Sequence, residues 1–331
     1  MIMSFIQFGD GRRSTDTDAA TLSAALRDPK ARFWVDMERP TEAEIALLDD
    51  VFGFHPLAIE DTTQYSQRPK IESYNHIGDA CQQGYFYMVI HGPDQETFRE
   101  RLRTRELDLF VSERYLVTIH EEPMRAVSDV ANRARADVRI VLEPGIDLLL
   151  HNILDHIVDN YRPILDYLEV ALDELEEEAL TNPTPELLTR IATKKRELLN
   201  FRRIIGPQRE VLAQLTRGEV PFIRETTRIY LRDVLDHLIR SVEMVELYRD
   251  LVLGARDIYL SSINNNLNRI MKTLTIITAI AAVLNVFTGF YGMNFEHIPG
   301  LSSPVAFWVN VAVMIATCAV LLTLFYRKRW L

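Results

Sequence analysis

Gly289, Asn285, Ala282, Thr278, Thr275, Met271, Asn268, Asn264, Ser261, Asp257, Gly254 and Asp250 recur in alternating steps of four and three. That spacing puts them on one stripe of a helix in heptad register. Near its outer end the stripe offers carboxamides, hydroxyls and small residues, and further back it becomes acidic. Ile276, Ile277, Ile280, Val283, Leu284 and Val286 cover the other faces. A helix in lipid turns a polar stripe towards protein or water, so the stripe reads as the wall of a cation conduit. Ordinary small-residue and hydroxyl packing between spans would account for Gly289, Ala282 and the threonines. It accounts less well for Asn285, Asn268 and the aspartates.

The elements that must carry this stripe are legible. Two apolar runs, residues 273–293 and 304–326, each reach the roughly 20 residues that a helix needs to cross a bilayer core. Between Lys272 and Arg327 only Glu296 is fully charged. A buried hairpin of a soluble protein rarely strings together two such lengths, so the end of the chain is expected to be a transmembrane hairpin. Arg327, Lys328 and Arg329 close the second run, and Arg269 and Lys272 precede the first. The positive-inside rule then places both chain ends on the cytoplasmic side and the loop 294–303 outside. Trp308 and Trp330 suit the two interfaces. The opening stretch Met-Ile-Met-Ser-Phe-Ile reaches Asp10 too soon for a secretory signal, so the body should be cytoplasmic. Cys81 and Cys318 offer neither a disulfide framework nor a cysteine metal site.

No proline interrupts the sequence from Phe222 to Met293, about 70 residues or on the order of 100 Å of helix. The last part of that helix is the first span, and single helices of such length are stable only in bundles. Before it, residues 145–180 form one broad apolar stripe of helical period. A break at Thr181-Asn182-Pro183-Thr184-Pro185 follows, then a second helix from Glu186 to about Thr216, antiparallel to the first. The acidic run Asp173-Glu174 and Glu176-Glu177-Glu178 is either a cation sink or a solvated helix tip, the tip being the simpler. Residues 33–37, 85–90, 106–111 and 115–119 are predicted strands, with Ser112-Glu113-Arg114 a hairpin connection. Thr41-Glu42-Ala43-Glu44 caps a helix. The expected fold is an α+β cytoplasmic domain (1–144), a helical hairpin and long stalk helix (145–272) and the transmembrane hairpin (273–331).

No phosphate loop, nucleophile elbow or catalytic triad can be assembled, so an enzyme is not expected. The formal charge of −10 falls almost wholly in the body, which argues against nucleic acid as a partner. It suits a protein that handles cations, although solubility alone would also explain it. Taken alone, Glu60-Asp61 reads as an acid pair at a helix start, favoured by the helix dipole.

Tyr291-Gly292-Met293-Asn294 at the end of the first span, the basic C-terminus ending Arg329-Trp330-Leu331, and His55-Pro56-Leu57-Ala58-Ile59-Glu60-Asp61 followed by Gln67-Arg68-Pro69-Lys70 together resemble the CorA family of divalent-cation (magnesium/cobalt) transporters. The stalk segment Tyr230–His237 is similar too. The resemblance implies a homopentameric funnel in the cell inner membrane, with first spans around the pore and second spans outside. It implies that Gly292, Met293 and Asn294 form the outer selectivity mouth, with Asn285 and Asn268 as deeper carboxamide rings. Mg2+ dehydrates reluctantly and keeps several waters, and amide oxygens can accept hydrogen bonds from those waters. Met271 and Leu274 would be the apolar gate, closing by dewetting. Asp61 and Asp233 would bind regulatory metal between neighbouring cytoplasmic domains, with Glu60 and Asp155 close by. Metal occupancy would then bias the closed against the open state.

The implied activity is passive influx of Mg2+, with Co2+ and Ni2+ as surrogates. Asn285 stands where better-known members carry threonine, Ala282 where methionine is expected, and Gly300 where an acid is expected. A loop containing Pro299-Gly300 is closer to the ZntB relatives that carry Zn2+, which usually lack an intact Gly-Met-Asn. A Zn2+ importer, with or without proton coupling and with His297 at its mouth, is therefore one alternative. A membrane-anchored metal sensor without transport is another.

Overall fold

The computed structural model of the chain describes residues 1–64, 68–74, 84–293, 304–328 and 330. In chain order its elements are β1 (Ile2–Gln7), β2 (Arg13–Ser14), α1 (Ala19–Arg27), β3 (Arg32–Glu38), α2 (Glu42–Asp50), α3 (Pro56–Thr63), β4 (Lys70–Tyr74), β5 (Tyr85–Pro93), β6 (Thr104–Val111), β7 (Tyr115–His120), α4 (Arg125–Ala136), α5 (Val138–Leu142), α6 (Ile146–Asp159), α7 (Arg162–Thr181), α8 (Pro185–Arg217), α9 (Glu225–Tyr291) and α10 (Pro304–Arg327). They group into two units: Met1–Glu177 with Pro185–Ala255, and Glu178–Thr184 with Arg256–Leu331.

The first unit is built on a mixed sheet of order β2-β1-β3-β7-β6-β5-β4, in which β3 and β7 are parallel and the other neighbours antiparallel. Helices cover both faces, so β5 and β7 are buried along their whole length and read in sequence as unbroken apolar runs. Phe33, Val35 and Met37 of β3 join Val117 and Ile119 of β7 on one face, under Leu22 of α1, Leu48 of α2 and Ala58 of α3. Trp34 and Thr118 take the opposite face, bonded from the indole N–H to the hydroxyl at 3.0 Å, as the two-residue period requires. Thr41 and Glu44 cap α2 reciprocally, the device its sequence signals.

One expectation is corrected. The apolar stripe of residues 145–180 is two helices, α6 and α7, that part at Asn160 and Tyr161. Tyr161 is fully buried, and its hydroxyl donates to the His91 carbonyl at 2.5 Å. Gln208 of α8 completes a buried triangle: its Nε2 donates to the Tyr161 oxygen at 3.0 Å and its Oε1 accepts from the His91 N–H at 3.0 Å. Pro163 has no N–H with which to continue a helix across the junction. Periodicity carries through because both helices bury the same side. Further on, α9 runs unbroken for 67 residues, as the lack of proline predicts.

A carboxylate from another helix caps α9. Asp147 of α6, with a side chain only 4% exposed, accepts from Arg224 N at 3.2 Å, Arg224 Nε at 2.8 Å, Arg224 Nη2 at 2.6 Å and Thr227 Oγ1 at 2.6 Å. It thus does for the first turn of α9 what a local N-cap residue would do. Gly145 stands beside it at φ +123°, where any side chain would run into the Arg224 guanidinium. Burial alone would push the Asp147 carboxyl up. The bonds from Arg224 and Thr227 outweigh that and hold it below the ordinary aspartate value.

Asp147→Asn is therefore expected to cost about 1.5–3 kcal/mol, the range for hydrogen bonds to a charged group. The advantage of the wild type is present above the unfolded aspartate value of about 4 and is lost as pH falls through the lower folded value. Denaturant unfolding at neutral and acid pH reads both effects. An unchanged midpoint would show that this cap does not hold α9.

Candidate functional site

Every stripe position of α9, from Gly289 back to Asp250, is exposed in the single chain. The opposite side is not. Ile276 is buried and Ile280, Val283, Phe287 and Tyr291 are partly buried. Phe287 and Tyr291 share with Val305, Val309 and Val313 a cleft of about 620 Å3 between α9 and α10. The second span thus covers an apolar side of the first and leaves the polar stripe open.

Hydrogen bonds divide the stripe chemically. Thr275 and Thr278 donate to Met271 O and Leu274 O, both at 2.8 Å. Their hydroxyls are satisfied within the helix and need no outside partner. Asn285 and Asn268 have side-chain amides that bond to nothing among the described residues. A carboxamide left unpaired in an apolar setting costs roughly 1–3 kcal/mol, so Asn285 in the span calls for water, an ion or another chain. In the part of α9 that belongs to the first unit, Asp250 is held by its neighbour Arg249 at 2.8 Å. Met271 and Leu274, the expected gate, are both exposed apolar side chains. Gly292 and Met293 follow the last residue of α9, with Gly292 N–H donating to Thr288 O at 2.9 Å. Asn294, Glu296, His297 and the rest of the outer loop lie outside the described residues, as do Gln67, Cys81 and Arg329.

The carboxylates of α3 take a different place from the one their sequence suggests. His55 is the N-cap, its Nδ1 accepting the Leu57 N–H at 3.2 Å, and Pro56 opens the first turn. Glu60 and Asp61 therefore fall in the last turn of α3, where the helix dipole disfavours an acid. The helix-start reading of this pair is overturned, and cations or donors must answer for both charges. Gln64 Nε2 donates to Glu60 Oε1 at 2.8 Å. Lys70 of β4 pairs with Asp61 and, at 3.1 Å, with Glu72. Burial opposes the Lys70 charge, but the bonds to Asp61 and Glu72 prevail and hold its ammonium above the ordinary lysine value.

Asp233 on α9 is 71% exposed and lies 4.0 Å from His237 Nε2, while His237 Nδ1 lies 3.6 Å from Asp159. His237 had only been part of a stalk motif in sequence. Its spacing of four from Asp233 is the signal that could have singled it out. Asp155 is half-buried on α6. Among the described residues, no group of three or more His, Cys, Asp or Glu side chains makes a metal site within one chain.

α9 and α10 are long and apolar enough to span a bilayer, and their most apolar windows are almost wholly unburied. A mixed-sheet domain, one very long helix and a terminal pair of spans define a two-span membrane protein. The family described as CorA-like Mg2+ transporter protein matches residues 30–328, and the chain belongs to it. The chain is 32% identical over 320 residues to the cobalt/magnesium transport protein CorA of Thermotoga maritima, covering 96% of this chain and 88% of that one. It is 35% identical over 300 residues to the putative metal ion transporter YfjQ of Bacillus subtilis, covering 91% and 90%. The complete structure of the CorA magnesium transporter from Methanocaldococcus jannaschii matches with a TM-score of 0.82 at 26% identity, covering all of this chain and 99% of that one.

Proposed function

We propose that this chain is one protomer of a homopentameric channel for divalent cations in the inner membrane, with both termini in the cytoplasm. Mg2+ enters passively, driven by the membrane potential and its gradient, and Co2+ and Ni2+ follow the same route. The observation that carries this reading is the exposed stripe of α9, in which the Asn285 carboxamide has no partner among the described residues while the opposite face packs towards α10. Several copies are needed to enclose such a stripe, and family membership supports five. Residues 1–144 serve as the regulatory domain, 145–272 as hairpin and stalk, and 273–331 as the pore. Asn294, Gly292 and Met293 form the mouth, Asn285 and Asn268 the inner rings, and Met271 and Leu274 the gate. Asp61 and Asp233, with Glu60 and Asp155 near them, hold regulatory Mg2+ between neighbours.

Flux of Mg2+, Co2+, Ni2+ and Zn2+ into proteoliposomes, with and without a pH gradient, tests the transport reading. The expected result is Mg2+, Co2+ and Ni2+ entry that ignores the pH gradient. Zn2+ entry that depends on protons would replace this reading with a zinc importer, and no flux of any ion would leave a membrane-anchored sensor. Light scattering of the detergent-solubilised protein should give a mass close to five protomers. A monomer or dimer that still conducts would defeat the pore.

A further inference from the structure

A cavity of about 1020 Å3 opens in the first unit between α8 and the strand β6, and every lysine or arginine that lines it is an arginine: Arg68, Arg101, Arg103, Arg105, Arg196 and Arg203. Thr193, Arg196, Asn200 and Arg203 follow one another on α8 in steps of three, four and three, which puts them on one face. Arg101 and Arg103 flank the buried Leu102 just before β6.

Carboxylates line the same cavity, but most are already engaged. Arg105 holds Asp94 at 2.8 Å and Glu122 at 3.0 Å. Lys194 holds Glu197 at 2.9 Å, Arg39 holds Glu121 at 3.6 Å, and Glu106 lies 4.0 Å from His91. Arg68, Arg101, Arg103, Arg196 and Arg203 have no ion-pair partner among the described residues, and Glu100 is the one lining acid in the same position. Arginines and carboxylates balance in the lining, so the feature that stands out is five uncommitted guanidinium groups against one uncommitted carboxylate in a chain of formal charge −10.

We propose that this cavity binds a soluble polyphosphate anion, either inorganic or the phosphate chain of a nucleotide. The guanidinium fork matches phosphate oxygens two at a time, which an ammonium cannot do. The arginines come from three separate segments around a space much larger than one phosphate, so the anion that satisfies them together is an extended one. Among the described residues, Pro69, Leu102 and Ile204 are its apolar lining and no Phe, Tyr or Trp ring faces it. Recognition therefore falls on the phosphates and leaves a base without a stacking surface. The proposal stands whether or not the chain transports ions.

Isothermal titration of the full-length protein in detergent, in excess EDTA so that no bound metal can bridge to phosphate, tests it. Sodium tripolyphosphate and ATP should bind saturably and with similar affinity, inorganic phosphate about tenfold or more weaker, and adenosine not at all. Replacing Arg196 and Arg203 together by alanine should weaken tripolyphosphate about tenfold or more, a loss of at least about 1.4 kcal/mol. If that variant does not fold, Arg101→Ala with Arg103→Ala makes the same test on exposed residues. Absence of saturable binding by the wild type overturns the proposal. So does unchanged affinity in a folded double variant, or binding of dioctanoyl phosphatidylinositol bisphosphate without tripolyphosphate, which would assign the arginines to a lipid headgroup.

Discussion

Asn294→Ala is expected to abolish most Mg2+ flux and leave assembly intact. Gly292 and Met293 directly follow the end of α9, so residue 294 is the first polar side chain beyond the exposed stripe. Mg2+ holds its waters tightly and is recognised most cheaply through them. A ring of carboxamide oxygens accepts hydrogen bonds from that shell, each worth about 1 kcal/mol net. Alanine removes the whole ring at once because every copy carries the change. Even partial additivity makes the loss on the order of tenfold or greater. Light scattering should still give the wild-type mass. Wild-type flux at normal expression would refute the assignment of Asn294.

Asp233→Ala is expected to raise flux at high internal Mg2+ and to weaken the protection that Mg2+ gives the stalk against proteolysis. Asp233 is exposed on α9, the same helix that carries Met271, Leu274 and Asn285, so its state can reach the gate through continuous backbone. Two effects oppose each other when the carboxylate is lost. Less repulsion between facing acids favours closure, while loss of the metal clasp favours opening. Carboxylates surrounded by water repel weakly at high effective dielectric, whereas a divalent ion holds both partners at once. Loss of the clasp therefore wins.

The Lys70–Asp61 ion pair adds a second arm to this prediction. A metal ion at Asp61 must compete with the Lys70 ammonium, so Lys70→Gln should give Mg2+ protection at a lower concentration than in the wild type. If Mg2+ protects the wild type, Asp233→Ala and Lys70→Gln at one concentration, the carboxylates do not regulate.

Much of this architecture was legible before any coordinates, and the misses have physical causes. Strands β3, β5, β6 and β7 announce themselves as short runs rich in β-branched, aromatic and leucine side chains bounded by turns, most plainly β5 and β7, which are buried along their whole length. The edge strand β4, with Glu72 and Ser73 polar and exposed, gives no such signal. The division of α6 from α7 is hidden because both helices keep one apolar side in phase, and the Tyr161 hydroxyl that marks the break finds its partners on β5 and α8. Glu60 and Asp61 were misplaced along α3 for a related reason: a proline two residues after Phe54 can end one element or open the next, and only the His55 cap decides. The stripe of α9 was readable because heptad spacing is a property of one helix. Its separation into self-satisfied threonines and unsatisfied carboxamides was not, since that depends on rotamers. The Asp147 cap on Arg224 and Thr227 joins residues about 80 positions apart and follows from no local pattern.

If the exposed stripe of α9 lines a water-filled path, cysteines placed on it will meet reagents from the water. In a chain with Cys81 and Cys318 replaced by alanine, cysteine is introduced singly at Asn285, Thr278, Ile277 or Ile280, and Mg2+ flux in proteoliposomes is measured before and after a positively charged methanethiosulfonate reagent. The reagent is expected to block flux through the proteins altered at Asn285 and Thr278 and to leave those altered at Ile277 and Ile280 unaffected. Block at the isoleucines, or equal insensitivity at all four positions in proteins that still conduct, would contradict it.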